Sequence, residues 1–342
     1  MWNAGWRPTV FASLLTLAVA APLRAQNASV SAIPDSSESV IRVTLLGTGR
    51  PDPAIDRFGP STLIEAGVET LMIDCGRGAT QRLWQLGIPL SRVKGVFLTH
   101  LHSDHTVGLP DLWLTGWLPT PYGNRATPLG VWGPVGTRDM TRGLRKAFAW
   151  DIDRRSRGEG LPAAGAAFDA HEVRPGVVFE RNGVRVTAFA VDHGGLLKPA
   201  YGYRVDYHGR SVVVSGDTRP TESLITASAG VDVLVHEVIA APVALLEKSQ
   251  TARRIVGFHT LPEDAGRIFA RVRPRLAVYS HVVLLTTDQA FPPPTVTDLV
   301  LRTRSTYDGP LEVGEDLMAI QIGREIRVRR GAPPKPSGVR GP

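Results

Sequence analysis

Cysteine is almost absent from this 342-residue chain, which contains only Cys75. No disulfide can therefore form within it. Cys75 stands where an apolar segment enters a glycine turn, and no neighbouring residue is of a kind that activates a thiol. We expect a packed thiol rather than a nucleophile at this position.

Long hydrophobic runs are lacking too. The apolar run over residues 9–21 has 13 residues, short of the roughly 20 that span a bilayer. Arg7 precedes it without any acidic residue, and Leu23-Arg24-Ala25 follows it. This pattern predicts a secretory signal peptide over residues 1–25, then a flexible lead-in over residues 26–39. We therefore expect a periplasmic or secreted protein without a membrane anchor, an uncleaved anchor being the alternative.

An excess of charge of one sign is missing from the body of the chain. Residues 26–323 carry 31 basic and 31 acidic side chains, and the segment from Arg324 onward adds six basic residues and one acid. Because the end of that segment is rich in Pro and Gly, we predict a disordered basic tail over residues 329–342. A nucleic-acid enzyme is expected to carry a basic stripe on the fold itself, and this balance supplies none. We do not expect a nucleic-acid partner.

One motif stands out among the residues that are present. His100, His102, Asp104 and His105 fall within six residues, directly after the apolar segment 93–98, which is typical of a buried strand. Three imidazoles and a carboxylate at a strand end suit a divalent ion, above all zinc. The first two histidines alternate on one side of the extended chain, while the other two residues turn towards a second position. The motif predicts two metal positions, against the alternative of a chance cluster of surface histidines.

Three later residues, His193, Asp217 and His281, also follow apolar, strand-like segments directly. Each alone is explained as well by a structural role, but the repeated context favours ligands. The carboxyl ends of such strands gather at one edge of an α/β sandwich, where clefts form. We assign the ligands as follows: His100, His102 and His193 to one zinc; Asp104, His105 and His281 to the other; and Asp217 as the bridge.

Other segments are less specific. Apolar spacing predicts helices over residues 79–86 and 109–118 and around residues 265–272. Residues 151–167 are polar and rich in Gly and Ala, which predicts a loop. Four tryptophans lie between positions 113 and 150, and core packing is the favoured explanation for them.

Through these residues the chain resembles a hydrolase of the metallo-β-lactamase superfamily over residues 40–328. Three patterns are similar to its ribonuclease Z-like branch: Leu45-Leu46-Gly47-Thr48-Gly49-Arg50-Pro51 with Arg57, Gly59 and Ser61; His236-Glu237 after a strand over 231–235; and Phe258-His259-Thr260. The resemblance implies an α/β fold, a four-layer αβ/βα sandwich, with a dinuclear zinc site of two Zn2+ ions per chain at one edge.

The segment between the third histidine ligand and the bridging aspartate distinguishes branches of this superfamily. Ribonuclease Z usually carries a long, glycine-rich basic arm there, which grips tRNA. Here only 24 positions separate His193 from Asp217, and two strands with a turn at His208-Gly209 fill them. The chain is therefore more similar to the metal-dependent arylsulfatase group of the same branch. The alternative is a ribonuclease Z-like tRNA 3'-processing endonuclease or a phosphodiesterase.

The resemblance implies hydrolysis of sulfate or phosphate esters by a metal-bridging hydroxide. Asp104 would orient the hydroxide as well as ligate metal, and His259, held by Glu237, would protonate the departing oxygen. His236 is explained equally by support of a ligand or by plain packing. The expected partner is a small sulfate or phosphate ester, and the sequence leaves the oligomeric state open, a homodimer included.

Two weaker alternatives are a lactonase and a non-catalytic metal-binding protein. Lactonases share the ligand set but not the opening pattern or the pattern around His259. Storage of zinc needs no general acid, so the pair of Glu237 and His259 argues for catalysis.

Overall fold

The computed structural model describes residues 40–195, 197–286 and 289–331. The predicted signal peptide 1–25, the lead-in 26–39 and residues 332–342 of the predicted tail lie outside the described residues. The strands are β1 Ile41–Gly47, β2 Ser61–Ala66, β3 Glu69–Ile73, β4 Gly95–Phe97, β5 Leu129–Gly133, β6 Phe168–Glu172, β7 Gly176–Arg181, β8 Val184–Val191, β9 Ala200–Tyr207, β10 Arg210–Val214, β11 Val233–Ala240, β12 Leu276–Leu284, β13 Leu311–Val313, β14 Ala319–Ile322 and β15 Ile326–Arg329. The α-helices are α1 Ala79–Gln85, α2 Ser103–Thr106, α3 Leu109–Trp117, α4 Thr137–Ala147, α5 Ala149–Gly158, α6 Glu222–Ala227, α7 Val243–Lys248, α8 Gln250–Val256, α9 Pro262–Val272 and α10 Val296–Arg304.

The strands form two mixed sheets. The first has the order β15-β14-β1-β2-β3-β4-β5-β6, and the second has the order β13-β12-β11-β10-β9-β8-β7. Each sheet contains a parallel block, β3 to β6 in the first and β10 to β13 in the second. The carboxyl ends of parallel strands share one edge of a sheet, so the loops that follow these strands gather there.

Apolar side chains that alternate along the strands fill the space between the sheets. Val212 and Val214 of β10 belong to the central cluster, whereas Val213 between them faces the outer layer. Val43 and Leu45 of β1 face the same central cluster from the first sheet. Successive side chains of a strand point to opposite faces, so a strand covered on both faces places alternate apolar residues in two different clusters.

Helices cover the outer face of each sheet. Phe269 of α9 packs with Leu234 of β11 outside the second sheet. Leu83 of α1 and Leu112 of α3 pack with Met72 of β3 outside the first sheet. The layers are helix, sheet, sheet and helix, which confirms the predicted αβ/βα sandwich.

The predicted helices correspond to α1, α3 and α9, but the predicted loop over residues 151–167 is wrong. Its first part belongs to α5, and a 3-10 helix covers Ala163–Ala166. None of the residues of α5 is fully buried, so the helix has no apolar stripe that a sequence pattern could reveal. Pairs one turn apart support it instead, Arg155 with Asp151 at 2.9 Å and Arg157 with Asp153 at 2.7 Å.

One boundary differs from the sequence expectation. Arg329, which we assigned to the tail, is the last residue of β15. Within the residues that the structure describes, no helix combines the length and apolar character needed to cross a bilayer.

Candidate metal centre

The H-x-H-x-D-H motif lies at the edge where the parallel strands end. The first sheet's β4 stops at Phe97, and the chain stays extended as far as His102, which caps the one-turn helix α2. Asp104 and His105 lie in that helix and are buried. The change from extended chain to helix separates the two parts of the motif along the backbone, but the ring of His105 still lies 4.1 Å from that of His100.

The second sheet brings three more side chains to the same place. His193 follows β8 and Asp217 follows β10, both at strand ends as expected. His281 differs, because β12 continues through it to Leu284. Glu237 pairs with Ser280 and Val238 pairs with Val282, so His281 is the extra residue of a β-bulge, with φ of 43°. A bulge re-aims the side chain of its extra residue, and here that side chain is directed at the motif.

The seven predicted ligands lie together in two groups. Within each group, every residue offers one ligand atom, and these atoms lie within 4.8 Å of one another. The first group contains His100, His102, His193 and Asp217, and the second contains Asp104, His105 and His281. The carboxylate of Asp217 lies between the groups. Its oxygens are 3.4 Å from Nε2 of both His105 and His281, and 3.7 Å from Nε2 of His193.

Partners on the far side of three imidazole rings fix their orientation. Nδ1 of His105 lies 2.7 Å from Oδ2 of Asp74, Nδ1 of His100 lies 3.0 Å from Oγ1 of Thr99, and Nδ1 of His193 lies 3.0 Å from the carbonyl oxygen of Phe258. Such contacts select the tautomer that leaves Nε2 free for a metal. Asp74 also accepts hydrogen bonds from the backbone and hydroxyl of Thr99, at 2.8 Å each.

Asp74 is the residue that the sequence interpretation missed. It directly follows β3, in the same strand-end context that identified the three later ligands. Our sequence argument at this strand end considered Cys75, which is buried in the core outside the first sheet. The signal was therefore present in the sequence.

Burial and charge prepare these groups to bind a cation. Burial lowers the pKa of His100, His102 and His193, so their imidazoles are neutral at pH 7. Burial alone would raise the pKa of Asp217, but the neighbouring His281 and His105 hold it well below its usual range. The three neutral imidazoles of the first group and the charged carboxylate of Asp217 are donors that zinc prefers.

Several buried polar atoms of the cluster have no hydrogen-bond partner among the described residues. They include Nε2 of His100, Nε2 of His105 and Oδ1 of Asp217. Leaving buried polar atoms unpaired costs free energy, and a bound cation removes that cost. The cluster therefore fits a metal and can bind one.

His259 and Glu237 lie beside this cluster. The ring of His259 is 5.1 Å from the ring of His193 and 5.8 Å from that of His281, and its Nδ1 is 3.3 Å from Oε1 of Glu237. Burial disfavours the charged imidazolium, but the charge of Glu237 outweighs this effect and raises the pKa of His259 to about 9. His259 thus carries a proton at neutral pH, as a general acid requires.

Glu237 also joins the loops that carry these residues. Its Oε1 accepts hydrogen bonds from the backbone of Thr218 at 3.1 Å and of Thr260 at 3.0 Å. Thr218 follows Asp217, and Thr260 follows His259, so one carboxylate aligns both. The expectation that the His-Glu pair follows a strand is corrected, because β11 runs through both residues to Ala240.

His236 points elsewhere. Its ring packs 5.8 Å from that of Phe269 in the outer helix layer, and its Nδ1 lies close to the carbonyl oxygen of Glu237. It lies outside the two ligand groups. Of the two explanations left open by the sequence, packing fits this position.

The described chain between His193 and Asp217 contains no arm. It holds β9 and β10, which pair as antiparallel neighbours around the turn at His208-Gly209. The short spacing in the sequence therefore corresponds to a plain hairpin.

A family model described as the β-lactamase superfamily domain matches residues 69–282. Ribonuclease Z of Mycolicibacterium gilvum is 34% identical over 283 residues, which are 83% of this chain and 96% of that protein. Ribonuclease Z of Mycobacterium avium is 35% identical over 287 residues, 83% of this chain and 99% of that protein.

Solved structures share the fold. The metallo-β-lactamase fold protein YhfI of Bacillus subtilis superposes with a TM-score of 0.65 at 17% identity, over 83% of this chain and 100% of that one. The short form of human tRNase Z superposes with a TM-score of 0.58 at 23% identity, over 82% of this chain and 98% of that one.

These relatives correct two sequence interpretations. The favoured function, an exported arylsulfatase-like hydrolase, is contradicted because the matching relatives are named ribonuclease Z, which was the alternative. The same names contradict the expectation that nucleic acid is not a partner. The missing arm was misleading evidence. The chain belongs to the β-lactamase superfamily, with the metallo-β-lactamase fold and ribonuclease Z homologues.

Proposed function

We propose that the protein is a dinuclear zinc hydrolase that cleaves phosphodiester bonds in RNA, with precursor tRNA as its candidate substrate. The observation that carries this proposal is the similarity, over nearly their full length, to relatives named ribonuclease Z. The cluster of seven candidate ligands at the sheet edge supports it, because metal-assisted hydrolysis is the chemistry that such a donor set suits.

In this proposal the two groups of side chains hold one zinc ion each. His100, His102 and His193 form the first group, Asp104, His105 and His281 form the second, and Asp217 lies between them as the shared ligand. When bound, zinc supplies Lewis acidity that polarises a phosphoryl oxygen and makes water a better nucleophile.

Two side chains of the chain handle protons. Asp104 lies 3.3 Å from His281 and 3.5 Å from His105, at the edge of its group, where its carboxylate orients the attacking water. The leaving oxygen of an RNA phosphodiester is a ribose alkoxide, which departs poorly without a proton. His259 donates that proton, and Glu237 keeps it charged and oriented.

The test is hydrolysis by purified, zinc-loaded protein of a precursor tRNA transcript, bis(p-nitrophenyl) phosphate and p-nitrophenyl sulfate. We expect endonucleolytic cleavage of the RNA, turnover of the phosphodiester and none of the sulfate. Cleavage of the small diester without any cleavage of RNA would contradict the RNA substrate. Asp217→Ala protein, prepared identically, controls for a contaminating ribonuclease.

Location is a separate proposal. We infer from the sequence that residues 1–25 are a cleaved signal peptide, which places the mature chain in the periplasm or outside the cell. An exported chain would meet RNA other than precursor tRNA, so the precursor tRNA transcript then tests the reaction and not the substrate met in the cell. Mass spectrometry of protein purified from its host checks this. A mature chain beginning at Gln26 is expected, and a chain beginning at Met1 rules the signal peptide out.

A further inference from the structure

Residues 26–323 have no net charge as a whole, but one segment within them is basic. Residues 138–157 carry seven arginines and lysines against three aspartates, while residues 26–323 as a whole are balanced. In the structure this segment is a pair of consecutive helices, α4 and α5, which share Phe148 between them. The positive charge is therefore concentrated on one surface element, a distribution that a count over the whole chain could not reveal.

Three cations of this helix pair have no ion-pair partner among the described residues, and one of them, Arg138, donates to the carbonyl oxygen of Ala170 at 3.3 Å instead. Most of the arginines pair with the acids of the same segment, such as Arg142 with Asp139 at 3.1 Å. Arg145 and Lys146, in the last turn of α4, are exposed and form no ion pair with any residue that the structure describes. Free, exposed cations are available to the phosphates of a ligand.

Aromatic side chains accompany these cations. Trp150 is 73% exposed, and the guanidinium of Arg154 lies 5.8 Å from its ring. Trp113 and Trp117 are buried, so the expectation of core packing holds for them but not for Trp150. An exposed tryptophan has a free face on which a base can stack.

A cleft lies between the cations and α5. Its volume is about 370 Å³, and its lining consists of Arg145, Lys146, Ala149, Ile152, Asp153 and Ser156. Two unpaired cations on one wall and only one acid on the other suit an anionic group. Since Asp153 already pairs with Arg157 at 2.7 Å, its charge is partly neutralised.

The helix pair begins beside Leu101, which lies within the metal motif between His100 and His102. Gly136, which precedes α4, packs against Leu101 of the metal motif, and its backbone N–H donates to Glu172 at 2.8 Å. The 11 residues of α4 then extend over about 16 Å, and Arg145 and Lys146 lie in the last turn. A polymer with one phosphate at the metals can span this distance.

We propose that α4 and α5 form the surface that holds structured RNA outside the metal centre. Arg145 and Lys146 bind its phosphates, and Trp150 stacks on an exposed base. This inference rests on the proposed function. The surface of α4 and α5 would bind RNA in place of an arm between His193 and Asp217, where the chain has only a hairpin.

The experiment compares binding and catalysis in zinc-loaded, full-length variants. A tRNA transcript is titrated at several salt concentrations, and hydrolysis of bis(p-nitrophenyl) phosphate is measured in parallel. For Arg145→Ala/Lys146→Ala we expect at least about tenfold weaker binding and a salt dependence reduced by about two phosphate contacts. For Trp150→Ala we expect about tenfold weaker binding with an unchanged salt dependence. Hydrolysis of the small diester should stay at the wild-type rate in both.

The matched control removes the same charge elsewhere. Arg267 and Arg271 are exposed on α9, and Arg267→Ala/Arg271→Ala should bind RNA as the wild type does. Wild-type affinity and salt dependence in Arg145→Ala/Lys146→Ala would overturn the surface while leaving RNA cleavage intact. A wild-type protein that hydrolyses the diester but binds no RNA would overturn both proposals. If the variants instead lose affinity for phosphatidylglycerol vesicles and keep affinity for RNA, the surface is a membrane site and the inference is wrong.

Discussion

Asp74 shows how much one carboxylate outside the ligand set can control. It contacts His105 directly and reaches His100 through Thr99, so it orients one ring in each metal group. Partners of this kind typically contribute 10- to 100-fold to metal affinity or activity, on the order of one to three kcal/mol. Asp74→Asn should therefore weaken zinc binding by about that factor, as measured by competition with a chelating dye.

A second variant separates orientation from general damage at this position. Thr99→Val keeps the contact between Asp74 and His105 but removes the hydroxyl beside His100. Its loss of zinc affinity should be smaller than that of Asp74→Asn. Unchanged affinity in Asp74→Asn would show that Asp74 only packs the strand end.

His259 makes a prediction about leaving groups. A nitrophenolate departs without help, whereas a ribose alkoxide needs a proton, and general acid catalysis contributes about 10²–10⁴-fold. His259→Ala should cost near the upper end of that range on RNA and much less on bis(p-nitrophenyl) phosphate, as measured by single-turnover rates. Zinc content should not change, because His259 lies outside the two ligand groups.

Glu237→Gln provides the graded comparison for this role. It removes the charge that raises the pKa of His259, so the loss on RNA should follow the same trend and grow as the pH increases. Activity that needs protonated His259 falls once the pH exceeds the pKa of His259. Because the substitution lowers that pKa, the variant loses activity at a lower pH than the wild type does. Equal losses on both substrates would indicate that His259 is structural.

The local character of the motif explains which residues could be predicted. His100 to His105 are contiguous, and His193 and Asp217 follow apolar strands, so adjacent sequence places all of them. Asp74 also follows an apolar strand, but its contact with His105 joins positions 31 residues apart, and no sequence pattern shows that contact. The sequence predicts His281 as a ligand from its strand context, but the bulge that aims it depends on the register between β11 and β12, which the sequence does not show.

At the scale of elements, one aspartate near the C-terminus fixes the loop between β1 and β2. Asp316 accepts hydrogen bonds from the backbone of Thr48 at 2.9 Å and of Phe58 at 2.8 Å, and it pairs with Arg82 of α1 at 2.8 Å. Thr48 in turn accepts a hydrogen bond from the backbone of Val282, the residue after His281. The side chain of Asp316 is only 4% exposed, so its ion pair with Arg82 is buried.

Removing one partner of a buried pair leaves the other charge unpaired, which typically costs about 3–5 kcal/mol. Asp316→Ala should lower the free energy of unfolding by about 3 kcal/mol, as measured by urea denaturation of zinc-loaded protein. The control is Glu222→Gln, which breaks the exposed pair with Arg271 and should leave the midpoint unchanged. A midpoint for Asp316→Ala equal to that of the wild type would contradict this account of the loop.

Periodicity also explains which elements could be predicted. Strands with covered faces are apolar on both sides, so β8, β10 and the start of β12 were recognisable in the sequence. The surface helix α5 has no such signature, and Asp316 acts across 268 residues from Thr48. Elements defined by charge pairs and distant contacts appear only in the folded chain.

For the whole molecule, the metal centre links the two sheets. His100, His102, Asp104 and His105 follow β4 of the first sheet, while His193, Asp217 and His281 belong to the second. A ligand that binds only the native state stabilises it by mass action, by about 2.7 kcal/mol at a free concentration of 100 times Kd. Chelation of zinc should therefore lower the free energy of unfolding by an amount that depends on zinc concentration.

Metal content decides whether the two groups act as two sites. The wild-type chain should contain two zinc ions by mass spectrometry under native conditions, because seven donor groups converge and Asp217 lies between both sets. Asp217→Ala removes the shared carboxylate, and it should lose at least one ion, most of the zinc-dependent stabilisation and nearly all turnover. Glu222→Gln, whose exposed carboxylate pairs with Arg271 and lies outside the two ligand groups, should retain both ions. One ion or none in the properly folded wild type would mean that the two groups serve a single site, and an Asp217→Ala protein that keeps two ions at wild-type affinity would show that this carboxylate does not bridge them.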